Sequence, residues 1–100
     1  MGEDYQNLMV TGEFVASIQS LDPPATPEDL AGILQALDDL DAEPGNTRNR
    51  LHILDRELAD WWSLTPPPPA SQALRILVAP QRDRRGGFWR VGPATWHYWR

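Results

Sequence analysis

Two histidines, His52 and His97, are the side chains of this 100-residue chain best suited to general acid–base chemistry near neutral pH. Neither stands in the company that chemistry needs. His52 lies in "RLHILDRELAD", beside a run of leucines, and the acids near it, Asp55 and Asp60, are spaced as a solvated helix face would space them. His97 sits between Trp96 and Tyr98 and points away from both if the segment is extended. The chain has no cysteine, which excludes a thiolate nucleophile, a disulfide and a thiolate metal site. A zinc shell would need carboxylates to complete it. No G-x-S-x-G, H-E-x-x-H, P-loop or dinucleotide fingerprint occurs. An enzyme using His52 or His97 with a carboxylate is therefore the last of the readings. We expect no catalysis, no cofactor and no metal.

The remaining chemistry is that of binding. "GGFWRVGPATWHYWR", residues 86–100, holds three of the five tryptophans, one of two tyrosines and one of two phenylalanines. Tryptophan, tyrosine and arginine are enriched at interface hot spots. Trp89, Arg90, Trp96, His97, Tyr98, Trp99 and Arg100 are accordingly the candidate partner-binding residues, with another protein or a second copy of the chain as partner. Alternation sets Trp96 and Tyr98 against His97 and Trp99, so a sheet covered on one face leaves one set outside. A terminal strand with a free edge can also pair with a partner's strand.

Two further clusters compete with this reading. Arg82, Arg84 and Arg85 lie beside Phe88 and Trp89 in "QRDRRGGFWR", the combination that holds single-stranded bases. RNA or single-stranded DNA binding through the hairpin 81–90 is thus the alternative. Asp38, Asp39, Asp41 and Glu43 form an acidic turn at a helix end whose dipole is negative. That placement is explained by pairing with Arg48 and Arg50 across the turn, by docking of a basic partner, or by imitation of nucleic-acid phosphates in an acidic inhibitor. The run lacks the glycine and ligand spacing of a calcium loop.

Charge separates these readings. Residues 1–60 carry a net −10 and residues 61–100 a net +5, and all nine basic residues are arginine. The total of −5 disfavours nucleic acid, whose binding domains carry a basic footprint. No apolar run approaches the roughly 18 residues that span a bilayer. "MGEDYQNLMV" has no basic n-region, and Gln6 stands where a myristoylation signal has Ser or Thr. We expect no membrane partner and a cytoplasmic location.

The elements that must position these residues follow from periodicity. Phe14, Ala16 and Ile18 alternate with Val15, Ser17 and Gln19, which predicts a strand within residues 8–21. "TPEDLAGILQALDDL" predicts a helix with Thr26 at its N-cap, Pro27 at N1, and an apolar stripe of Leu30, Ile33, Leu34, Leu37 and Leu40. Pro44-Gly45 ends it. Asn46 or Thr47 would cap a second helix ending at Trp62, with Leu51, Leu54, Leu58, Trp61 and Trp62 on its buried side. "TPPPPAS", residues 65–71, is a polyproline crossover that could also offer a ligand to an SH3-like groove. Two strands follow, at residues 73–80 and 88–91, joined as a hairpin; after a break at Gly92-Pro93, "TWHYWR" reads as a third. The expected fold is α+β, one domain over 1–100 with a flexible stretch at 1–7. A two-helix hairpin would pack on one face of a small, three- to four-stranded, mainly antiparallel sheet, in the order β-α-α-β-β-(β). The expected role is a small non-catalytic binding domain, an adaptor, assembly factor or inhibitor, that meets its partner through an aromatic and arginine-bearing sheet face.

Overall fold

The computed structural model describes residues 5–44, 51–53, 61–84 and 86–96. Within them, two helices pack on one face of a sheet, an α+β fold in which the order of elements is β1 (Leu8–Val10), α1 (Gly12–Gln19), α2 (Pro27–Ala42), β2 (Leu51–Ile53), β3 (Trp62–Leu64), β4 (Leu74–Asp83) and β5 (Gly86–Trp96). The spatial strand order is β1-β5-β4-β3-β2. Strands β2 to β5 form an antiparallel meander, and β1 lies parallel to β5, so the sheet is mixed where the sequence suggested a mainly antiparallel one.

Helix α2 forms as its sequence dictates. Thr26 accepts from the Asp29 N–H while the Asp29 carboxylate accepts from the Thr26 N–H, a reciprocal capping box, with Pro27 at the start where no donor is needed. Its stripe divides on packing. Ile33, Ala36, Leu37 and Leu40 enter the core, whereas Leu30 and Leu34 stay about two-fifths exposed.

The other helix is not where periodicity placed it. Residues 12–19, expected as a strand, form α1: Thr11 caps it by accepting from the Phe14 N–H, and Glu13 sits in the first turn. Phe14 and Ile18 are four apart, a spacing that satisfies a period of 2 and a period of 3.6 alike. Both turn into the core. Conversely, the helix expected over residues 47–62 is absent at both described parts of that span. Residues 51–53 form β2, with Leu51 opposite Leu64 and Ile53 opposite Trp62. Trp62 itself opens β3, and residues 54–60 lie outside the described residues. Backbone pairing of residues 51–53 with β3 places this segment in the sheet, and that pairing overrides the helical spacing of its leucines.

The break expected at Gly92-Pro93 is also absent, because β5 runs through it. Ile76 faces Ala94 and Val78 faces Val91, so Leu77 alone opposes Gly92 and Pro93. This is a β-bulge, a site that tolerates the missing proline donor.

Register assigns each side chain to a face. Leu74, Ile76, Val78, Trp89, Val91 and Ala94 join Leu8, Leu64 and the helical residues in one core, with Leu74, Ile76, Val78 and Val91 fully buried. The polyproline segment lies against α2. Its Pro66 and Pro67 are buried, and Asp29 accepts from the Ser71 N–H at 2.8 Å. A groove ligand needs its prolines outside, and only Pro68 and Pro69 of the four are.

Candidate functional site

The aromatic residues divide between the two faces of the sheet. Trp62 and Trp89 lie on the helix side and meet edge-to-face, with ring centroids 5.7 Å apart. Trp89 is buried, and its indole N–H donates to the Pro44 carbonyl at 2.9 Å, tying β5 to the end of α2. Trp96 pairs in register with Leu74, and its indole N–H donates to the Pro23 carbonyl at 2.8 Å. Two members of the expected contact set, Trp89 and Trp96, thus belong to the helix side of the sheet. His97, Tyr98, Trp99 and Arg100 lie outside the described residues.

The opposite face, helix-free among the described residues, carries a different set. Trp61 precedes β3, and its ring lies over Gly92: a Cβ at that glycine would stand 2.6 Å from Cζ3 and 2.8 Å from Cη2. The Arg90 guanidinium carbon is 5.8 Å from the centroid of the same ring, a cation–π arrangement. Phe88 and Leu77 share this face by alternation and are half-buried, and Met9, in register with Arg90, is 45% exposed. Arg75 is held back, its guanidinium donating to the carbonyls of Gln72 and Leu74. Trp61, Phe88 and Leu77 were missing from the expected set. The signal that could have found Trp61 is the Trp61-Trp62 doublet, since a strand must send the two rings to opposite sides.

The acidic turn serves the chain itself. The Tyr5 hydroxyl donates to Asp38 Oδ1 at 2.9 Å, and Asp41 Oδ1 accepts from the N–H groups of Gln6 and Asn7 at 2.9 and 2.6 Å. Burial, then the hydrogen bond to Asp38 and the charges of Asp38 and Asp41, push the Tyr5 hydroxyl up to about 12. Asp39 accepts from the Gln35 amide, and Glu43 is the C-cap residue of α2. Carboxylates at the negative end of the helix thus anchor the strand entering β1. Arg48 and Arg50, expected to compensate them, lie outside the described residues.

Among the described residues the buried acid is Asp29. Burial would raise its pKa, but the N–H groups of Thr26 and Ser71 and the Thr26 side chain outweigh that and hold it below the usual carboxylate range. It is a structural carboxylate. Among the described residues no three of His, Cys, Asp or Glu gather as a metal site would require. His52 occupies the register position opposite Ser63.

The arginine hairpin projects. Arg82 and Arg84 are exposed, with Arg82 opposite Gly87, and Arg85 lies outside the described residues. Between this hairpin and the end of α2 is an open cleft of about 530 Å³ lined by Pro44, Pro80, Gln81, Arg82, Gly87, Phe88 and Trp89. No helix among the described residues is long and apolar enough to cross a membrane. No family model, curated protein or solved structure matches the chain.

Proposed function

We propose that the chain is a small non-catalytic protein-binding domain, an adaptor or inhibitor, that meets another protein through the helix-free face of its sheet. The observation that carries this reading is the Arg90 guanidinium over the Trp61 ring on that face, 5.8 Å from its centroid, with Phe88, Leu77 and Met9 around it. Rigid aromatic area with an arginine anchor is what interface hot spots are made of. The surface also runs from β1 to β3 without an acidic side chain on its described part except Asp83 at the tip. Face-to-face pairing of two copies about an axis through Arg90 would bring like charges together, which favours a different protein as the partner. We take the encounter to be cytoplasmic, a reading with which the cysteine-free composition is compatible.

The test compares three variants as bait in the native cell extract. Arg90→Glu and Trp61→Ala should lose the partner, while Gln35→Ala on α2 should keep it. Retention by Arg90→Glu and Trp61→Ala overturns the reading. Binding of single-stranded oligonucleotide at moderate salt, lost with Arg82→Glu and Arg84→Glu, would establish the hairpin alternative instead.

A further inference from the structure

Beyond Trp89 the β4–β5 hairpin leaves its neighbours behind. The pairing nearest the tip is Trp62 with Val78 in β3, and Leu8 with Trp89 in β1. The hairpin itself continues through Gln81–Phe88, Arg82–Gly87 and Asp83–Gly86. It is a two-stranded arm with no described strand on either flank.

One flank is set up to be paired. The Trp89 N–H points away from β4, since it donates to the Asn7 carbonyl at 2.8 Å. Backbone direction alternates along an antiparallel ladder, so the N–H and C=O of Gly87 point the same way, past the end of β1. Residues 5–7 do not follow the arm there, because Asp38 and Asp41 draw them toward α2. Beside this edge is the 530 Å³ cleft, walled by Pro44, Pro80 and Trp89 and floored at Gly87, which has no side chain to block it. Arg82 opens onto it. Among the described residues neither Arg82 nor Arg84 has a hydrogen-bond or ion-pair partner, whereas Arg75 donates to backbone carbonyls and Arg90 lies over the Trp61 ring.

We propose that this edge and cleft take an extended acidic peptide segment of a partner protein. The segment adds a strand to β5 at Gly87, lays an apolar side chain against Pro44, Pro80 and Trp89, and pairs a carboxylate with the Arg82 guanidinium. Arginine offers a carboxylate two parallel donors, and main-chain pairing supplies affinity independent of sequence. Charge selects a carboxylate on the peptide, since Arg82, the cation lining the cleft, and Arg84 beside it are exposed among the described residues. A nucleic-acid strand fits less well. The Trp89 ring is 6% exposed and its N–H is occupied, so it offers no face on which a base could stack. The inference rests on the chain being a protein-binding domain, but on a different surface from the helix-free face.

The experiment follows backbone amide shifts of the whole ¹⁵N-labelled chain during titration with a blocked Val-Glu-Val-Glu-Val-Pro peptide, its lysine counterpart, and oligothymidylate. Saturable shifts gathered at residues 80–89, largest at the Gly87 amide and seen with the glutamate peptide alone, are expected. Arg82→Glu should weaken binding about tenfold or more, and Gly87→Pro, which removes the edge donor, should abolish it. Trp61→Ala should leave it unchanged. No saturation, equal shifts with the lysine peptide, or stronger binding of oligothymidylate overturns the proposal. Shifts confined to Trp61, Leu77 and Arg90 overturn it too, while leaving the helix-free face as the site of protein binding.

Discussion

Gly92 decides what the helix-free face presents. Its missing side chain lets the Trp61 ring lie on β5, and the Leu77 carbonyl is 3.2 Å from where a Cβ would stand. Gly92→Ala should therefore lift the ring and separate it from Arg90. The expected cost is about 1–3 kcal/mol, read by denaturant unfolding, with a change in tryptophan emission in the folded state. Tyr5 makes a prediction in pH. Its pKa is raised from 10.0 to about 12 by folding, so its contribution is fully present below pH 10 and lost as pH rises through about 12. Tyr5→Phe should lower stability below pH 10 and remove that component of the alkaline loss. Ultraviolet titration of the variant should also lack the higher of the tyrosinate steps.

At the scale of elements, Asp29 joins two segments that sequence keeps apart, the start of α2 and the end of the polyproline crossover. It caps α2 through Thr26 and fixes the end of the polyproline crossover through Ser71. Asp29→Ala should cost about 1–3 kcal/mol, measured at neutral pH, and the difference from the parent should shrink as pH falls below 3.8, because the folded pKa is depressed. Gly32 marks the same junction. A Cβ there would lie 2.4 Å from that of Ala70 and 3.0 Å from the Pro67 carbonyl, so Gly32→Ala should destabilise despite alanine's better helix propensity. The legibility of the elements tracks how local their causes are. Helix α2 was readable because Thr26, Pro27 and the leucine stripe act within a few residues of one another. Helix α1 was hidden because Phe14 and Ile18 fit both periods, and its deciding cap, Thr11, stands inside the span expected as a strand. Strand β2 was hidden for the opposite reason, since its partner β3 lies beyond the sequence window that shows Leu51, Leu54 and Leu58 at helical spacing. Of the binding face, the arginine and aromatic content was legible. Which rings point outward was not, because that depends on the register of Trp62 with Val78 and on the bulge at Gly92.

At the scale of the molecule, the helical layer and the hairpin arm divide the charge as the sequence halves do. Acids at the end of α2 hold the entry to β1, and arginines occupy the far end of β4 and the tip. The sheet is built mostly from neighbours in sequence, with one exception. Strand β1 pairs with β5 across most of the chain, and the hydrogen bond from Thr11 to the Val91 carbonyl joins residues 80 apart. Leu8 contributes to the core from that strand and is 7% exposed. Leu8→Ala should cost about 2–5 kcal/mol.

The parallel pairing of β1 and β5 sets a timetable. At about 5–20 residues per second, β1 leaves the ribosome roughly 4–16 s before β5, and for that interval its three residues have no strand to join. The meander of β2 to β5 closes through short connections, whereas β1 closes the longest loop and meets the largest entropic barrier. Docking of β1 is then the expected final event of folding and first of unfolding. Leu8→Ala should accordingly speed unfolding in stopped-flow measurements and leave the folding rate nearly unchanged.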